Sequence, residues 1–257
     1  VRRMLMTQRA WIDAMRALIY TNAGALDRAD AAKAAGDHDA ATSWQELADL
    51  LIPLSKGLCT DVGNEMTSIA LQIHGGMGYV EETGAAQHYR DARIAAIYEG
   101  TNGIQAADLV GRKLGMRGGG VVHDLLDEFA DRADALGSVE GTGDFGDRLR
   151  DAVEAARTAT DHLVKVGADD PRSLLAGSAP YLRLLGTTVC AGLLAKGVLA
   201  LADADAEIAD AEFAEAKRAS ARFFGEQILP TAAGLVPAVT GSADLLDTLD
   251  ATQLASR

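Results

Sequence analysis

Between residues 2 and 35 the apolar side chains Leu5, Trp11, Ile12, Met15, Leu18 and Ile19 recur largely at steps of three and four residues. A second run, Leu47, Leu50, Leu51, Leu54, Leu58, Val62, Met66, Ile69 and Ile73, continues that rhythm over a longer stretch. Such spacing lines side chains along one face of a 3.6-residue helix, whereas a half-buried strand would alternate apolar and polar positions. Aromatic residues make up only 5% of the chain and prolines number five, so little favours sheet over helix. The expected fold class is all-α.

Punctuation then divides the chain. Gly36 and Asp37 end the first helix, and Ser43 with Glu46 three residues later offers a capping box for the second. Pro53 is expected to dent the long apolar helix that runs to Gly75 and Gly76. Two short helical pieces follow, 82–89 and 91–96, then a helix over 102–114. Gly118, Gly119 and Gly120 in succession cannot sit cheaply in a helix interior, so 116–120 reads as a linker between a unit at 1–115 and another at 121–257. In the second unit, helices over 121–137, 144–166, 171–204 and 206–228 suggest an antiparallel bundle, with one further short helix over 243–249. The stretch 181–201 is long enough to span a bilayer, but it carries Arg183, Lys196 and several glycines and reads as a buried bundle helix, not an integral membrane span.

Composition excludes some functions. With 24 basic against 37 acidic residues the net charge is -13, which opposes a phosphate backbone, so no nucleic-acid partner is expected. Cys59 and Cys190 lie in apolar helical segments without metal-ligand neighbours, and read as buried free thiols compatible with a reducing, cytoplasmic setting.

The chemistry concentrates at Tyr98, Glu99, Gly100 and Thr101. A carboxylate can act as a general base when it is close to its substrate, shielded from water and free of a permanent cationic partner. Ile94, Ala95, Ala96 and Ile97 offer a dry wall behind Glu99, Gly100 permits close backbone approach, and Thr101 and Asn102 are cap candidates for the next helix. Taken alone, such a turn is more simply a solvated acidic residue ahead of a helix. Upstream, Gln72, Ile73, His74, Gly75, Gly76, Met77 and Gly78 form a glycine cluster that alone would be a helix stop. His74 reads as a cap, and Arg90, Asp91 and Arg93 as an ion-paired corner.

Together these strings, with Arg90 to Ile94 and Ile97 to Gln105, resemble the acyl-CoA dehydrogenase family over about residues 1–114. The resemblance implies an FAD-dependent enzyme oxidising an acyl-CoA to a trans-2-enoyl-CoA, with Glu99 removing the α-proton. It also implies that the Gly100 backbone contacts the thioester and that Thr101, Asn102 and Gly103 lie by the flavin. Gln72, Ile73, His74, Gly75 and Gly76 would meet the adenosine and pyrophosphate part of FAD, generally that of a neighbouring subunit. Gly103 departs from the glutamine many members carry, which leaves its backbone to serve. Residues 121–257 resemble, less sharply, the extra helical domain of larger members, including those for long-chain acyl-CoAs and methylthiopropionyl-CoA, and imply a homodimer. Electron-transferring flavoprotein is the implied redox partner. Relative to that family the chain starts inside the last domain, apparently after its first helix, so the expectation is a C-terminal fragment, inactive by itself. The competing expectation is a non-catalytic helical interaction module that needs a partner chain. A DNA-binding relative is a third, opposed by the charge.

Overall fold

A computed structural model describes residues 1–203, 210–241 and 243–255, and among these every regular element is helical. The first half comprises α1 (Arg2–Ala34), α2 (His38–Pro53), α3 (Cys59–Ile73), the short α4 (Gly76–Tyr79), α5 (Ala85–Ala95) and α6 (Asn102–Asp108). The second comprises α7 (Gly120–Leu136), α8 (Phe145–Gly167), α9 (Pro171–Ala176), α10 (Ser178–Ala202) and α11 (Ala211–Gln227), followed by short helical turns to Leu254.

Helix α1 carries two apolar rows rather than one. Trp11, Leu18, Ala25 and neighbouring small residues are buried, while Leu5, Ile12, Ile19 and Leu26 face outward, 39–51% exposed. The outward row repeats every seven residues, or about two turns, and so stays on one side of the helix. The second helix begins at His38, earlier than the Ser43 box suggested, because Asp37 caps it by accepting from the Ala40 amide at 3.0 Å. Ser43 is consequently inside the helix, where its hydroxyl donates to the Asp39 carbonyl at 3.0 Å. Pro53 does mark a break: α2 passes there into a π-helical turn over Leu54–Leu58. Residues 85–95 form one helix where two pieces were expected, since no glycine or proline interrupts them. In the second half, Gly177 splits the expected 171–204 helix into α9 and α10; a Cβ there would stand 2.6 Å from the Val239 carbonyl oxygen. The ends of the helices expected over 171–204 and 206–228 reach positions 204–209, outside the described residues, and α11 starts at Ala211 with Asp210 as its cap. The short helix expected over 243–249 is a single 3-10 turn at Ala243–Leu245, and a separate short helix follows at Ala251–Leu254, where Asp250 and Gln253 form a capping box.

One hydrophobic core runs from Ala10 on α1 to Phe224 on α11 and beyond, through both halves. Trp11 meets Phe224 edge-on at 4.8 Å, and Arg183 of α10 lies 5.3 Å above Trp11 while forming a two-pronged ion pair with Glu65 at 2.7 and 3.0 Å. The glycine-rich segment 116–120 is ordered: Arg117, Gly118 and Gly119 all take positive φ, and Arg117 pairs with Glu46 at 3.0 Å and Asp124 at 2.9 Å, one from each half. Helix α10 is long and apolar enough to cross a membrane, but most of it is packed against α1, α7, α8 and α11. Cys190 is buried and Cys59 half-buried; burial pushes the Cys59 thiol up to about 12, so it is held as a neutral thiol.

Asp13 is the most deeply placed carboxylate of α1, its side chain 3% exposed. Burial works to raise its pKa, but hydrogen bonds and charge from Lys217, helped by Arg9 at 3.1 Å, outweigh that and hold it below the usual carboxylate value. A depressed folded pKa contributes stability at neutral pH that is lost as pH falls below about 4. Asp13→Asn is therefore expected to cost about 2 kcal/mol at pH 7, from lost charge-assisted hydrogen bonds. Urea midpoints at pH 7 and pH 3 check this: the wild type should fall further on acidification than the variant.

Candidate active site

Glu99 and Gly100 follow the end of α5, and both adopt left-handed backbone, with φ of 51° and 81°. The conformation is natural for glycine but costs about 1 kcal/mol at a glutamate, so something must hold it. On one side, the Ile97 and Tyr98 amides both donate to the Ile94 carbonyl, at 2.9 and 3.1 Å, and the Asn102 amide donates to Ala96 O at 3.2 Å. On the other, Thr101 caps α6 by accepting from the Ile104 amide at 3.3 Å. Across the turn, Lys56 from the π-helical turn donates to the Gly100 carbonyl and, at 2.9 Å, to Asn102 Oδ1.

Asn102 is the hub of this network. Its Nδ2 faces three acceptors for its two hydrogens, Gly57 O at 3.1 Å, Thr60 Oγ1 at 2.9 Å and Asp61 Oδ1 at 2.6 Å. The side chain is thus turned toward the start of α3, while Gly103 and Ile104 remain at the surface. Of the two cap candidates, Thr101 fills the role and Asn102 fastens the turn to the helix behind it. The widened turn over Leu54–Leu58 is itself clamped by the second half of the chain. A Cβ at Gly57 would come within 2.8 Å of Leu182 on α10, and one at Gly186 within 2.9 Å of Leu58.

The Glu99 carboxylate is exposed, and among the described residues no ion pair joins it to a cation. That satisfies one requirement of a base. The requirement of dryness is not met within this chain: Ile94, Ile97, Tyr98 and Ile104 are all about half exposed, so the expected wall is an open apolar surface. These four surround the turn with side chains that disfavour water contact, a surface suited to being covered.

The glycine run occupies the opposite end of α3, about 20 Å away by the length of that helix. Gly75 has φ of 62°, and a Cβ added at Gly75 or Gly76 would meet nothing within 4 Å, so the pair presents open backbone to an approaching ligand. Gly78, by contrast, is required for packing, since its Cβ would lie 2.2 Å from the Leu71 carbonyl oxygen. Gln72 is exposed and Ile73 half-buried; His74 closes α3, its Nδ1 2.9 Å from Ala70 O. Arg90 is held by Glu81 in a two-pronged pair, both contacts 2.9 Å, at the surface. The candidate residues thus form two stations joined by α3 and α5, one around Glu99 and one around Gly75. Lys56, Thr60 and Asp61 escaped the sequence reading. The signal available was a lysine set between the core positions Leu54 and Leu58.

Comparison with known proteins matches two stretches of the chain, and both stations lie in the first. The family described as "Acyl-CoA dehydrogenase, C-terminal domain" matches residues 1–114, and that described as "Acetyl-CoA dehydrogenase C-terminal like" matches 122–250. A 3-methylmercaptopropionyl-CoA dehydrogenase of Ruegeria pomeroyi is 41% identical over 96% of the chain, and the broad-specificity linear acyl-CoA dehydrogenase FadE5 of Mycobacterium tuberculosis is 30% identical over 97%. In both cases the chain spans 41% of the relative's own length. The crystal structure of Caenorhabditis elegans ACDH-11 in complex with C11-CoA shares the fold, with a TM-score of 0.57 at 20% identity over 84% of this chain and 34% of that one.

Proposed function

The chain belongs to the acyl-CoA dehydrogenase family, and from that membership we propose that it carries the base that oxidises an acyl-CoA to a trans-2-enoyl-CoA. The observation that carries this reading is the Glu99 carboxylate, fixed on a strained left-handed turn and free of any cation within the described residues. In the reaction the α-C–H bond breaks, its proton passes to Glu99, and the electron pair becomes the new double bond as hydride leaves the β-carbon. The Gly100 backbone lies beside the carboxylate, where it can meet the thioester. Bound FAD supplies the hydride acceptor.

Residues present here fit that cofactor in two places: Gly75 and Gly76, where a Cβ would find only open space, and the exposed backbone of Gly103 beside the Thr101 cap. Because α3 separates the two stations, the glycine run suits a flavin seated mainly on a second copy of the chain, in keeping with a homodimer. Gln72 at the surface is available to the same ligand, with Ile73 and His74 supplying the helix end. Electron-transferring flavoprotein as acceptor and a cytoplasmic setting complete the proposal.

Since the apolar surround of Glu99 is open in this chain, catalysis is expected only where further protein covers it and excludes water. The test compares the 257-residue chain with the flavin-loaded holoenzyme, assayed with acyl-CoAs of graded length and an artificial electron acceptor. Turnover is expected from the holoenzyme alone. Equal turnover by the chain would refute the need for a cover, and none by a fully flavin-loaded holoenzyme with any acyl-CoA would refute the function.

A further inference from the structure

We propose that Lys56 is a positioning residue for the Glu99 base, holding the left-handed turn through the Gly100 carbonyl without pairing with the carboxylate itself. The proposal rests on the reading of Glu99 given above. Three observations carry it. Lys56 is half-buried, and its ammonium spans the gap between the helix break after Pro53 and the Glu99–Gly100 turn, donating to Gly100 O and to Asn102 Oδ1 at 2.9 Å. The oxygen it holds belongs to Gly100, the second left-handed residue of the turn, so fixing it anchors the C-terminal side of the turn on which Glu99 stands. The ammonium is aimed in turn by Asn102, whose own amide is fixed by Gly57 O, Thr60 Oγ1 and Asp61 Oδ1.

The helix break explains how a lysine reaches this position. A π-helical turn widens the helix by one residue and redirects the carbonyls around it. Here it brings Lys56 and the Gly57 carbonyl to face the same partner, Asn102, while Leu182 of α10 packs behind Gly57. A cation used this way satisfies two competing needs of the site. The base must be held in one geometry, because a misplacement of about 1 Å can cost about 100-fold in rate. It must also keep its basicity, which a direct ammonium–carboxylate pair would reduce.

The experiment uses the flavin-loaded holoenzyme and compares Lys56→Met, which keeps the side-chain stem, with Lys56→Arg, which keeps a donor. Lys56→Met is expected to lower kcat by about 100-fold with little change in KM and undiminished flavin content. It is also expected to raise the kinetic isotope effect with α-deuterated acyl-CoA, as proton removal becomes more rate-limiting, and to speed hydrogen exchange in the peptide covering 97–103. Lys56→Arg should recover part of the loss. Asn102→Ala, which withdraws one of the two oxygens aiming the ammonium, should show the same changes to a smaller degree, and decides the matter if Lys56→Met does not retain flavin. An unchanged kcat, or a loss that merely tracks lost flavin with an unaltered isotope effect, would overturn the proposal. Glu99→Gln in the same assay separates the two ideas: an inactive Glu99→Gln beside a fully active Lys56→Met removes only the role of Lys56, and an active Glu99→Gln removes the base assignment itself.

Discussion

Glu99→Gln in the flavin-loaded protein is expected to lower acyl-CoA oxidation by about 10³–10⁴-fold while leaving flavin content and thermal stability close to wild type. The change preserves shape and removes only the ability to accept the α-proton. Stability should be spared because Glu99 stands at the surface and takes part in no ion pair among the described residues. The hydrogen bonds that fix the turn all belong to other groups: Lys56, Asn102, Thr101 and the amides after Ile94. Steady-state turnover with flavin absorbance as an internal standard measures the effect.

The second large effect is on folding. Gly192 lies inside α10 against the fully buried ring of Phe129, and a Cβ there would stand 2.3 Å from the ring's Cδ1 and 2.4 Å from Cγ. The neighbouring contact offers no slack, because Arg132 lies 5.2 Å over that ring and donates to the Gly192 carbonyl at 3.3 Å. Gly192→Ala is thus expected to cost about 3 kcal/mol through overpacking, despite the better helix propensity of alanine. For a protein of this size that corresponds to a fall in Tm of about 10 °C. Phe129→Leu, destabilising alone, should recover part of the loss when combined with Gly192→Ala, because the two share one volume. Thermal unfolding of the four proteins completes the cycle, and additive losses would show that the contact is not what limits packing there.

The helical class was legible because apolar spacing is a local property, and α1, α3, α7 and α8 lie close to where periodicity puts them. The glycine turns were legible for the same reason: Gly36, Gly75 and Gly100 all take positive φ that other residues resist. What was not legible depends on tertiary choice. Either Asp37 or Ser43 could cap a helix, and it is Asp37 that accepts from a first-turn amide while Ser43 lies inside the helix. Leu5 and Trp11 look alike in an apolar pattern, yet one is outside and the other in the core. The Ile94 and Ile97 wall was identified as apolar, but sequence cannot say whether an apolar surface is covered, and here it is open. Lys56 was missed because the π-helical turn that carries it has no periodicity of its own and is held by Leu182, which is 126 residues away by subtraction of the two positions. At the site, then, the candidate carboxylate and its glycine were readable, and the residues that hold their turn were not.

The assignment of Glu99 is tested most directly by separating proton removal from redox chemistry. An acyl-CoA analogue in which sulfur replaces the β-carbon cannot surrender hydride, but its α-protons remain available to a base. In heavy water the flavin-loaded wild type should exchange those α-protons for deuterium, and the Glu99→Gln protein, with equal flavin, should not. Equal exchange in the two proteins would contradict the account.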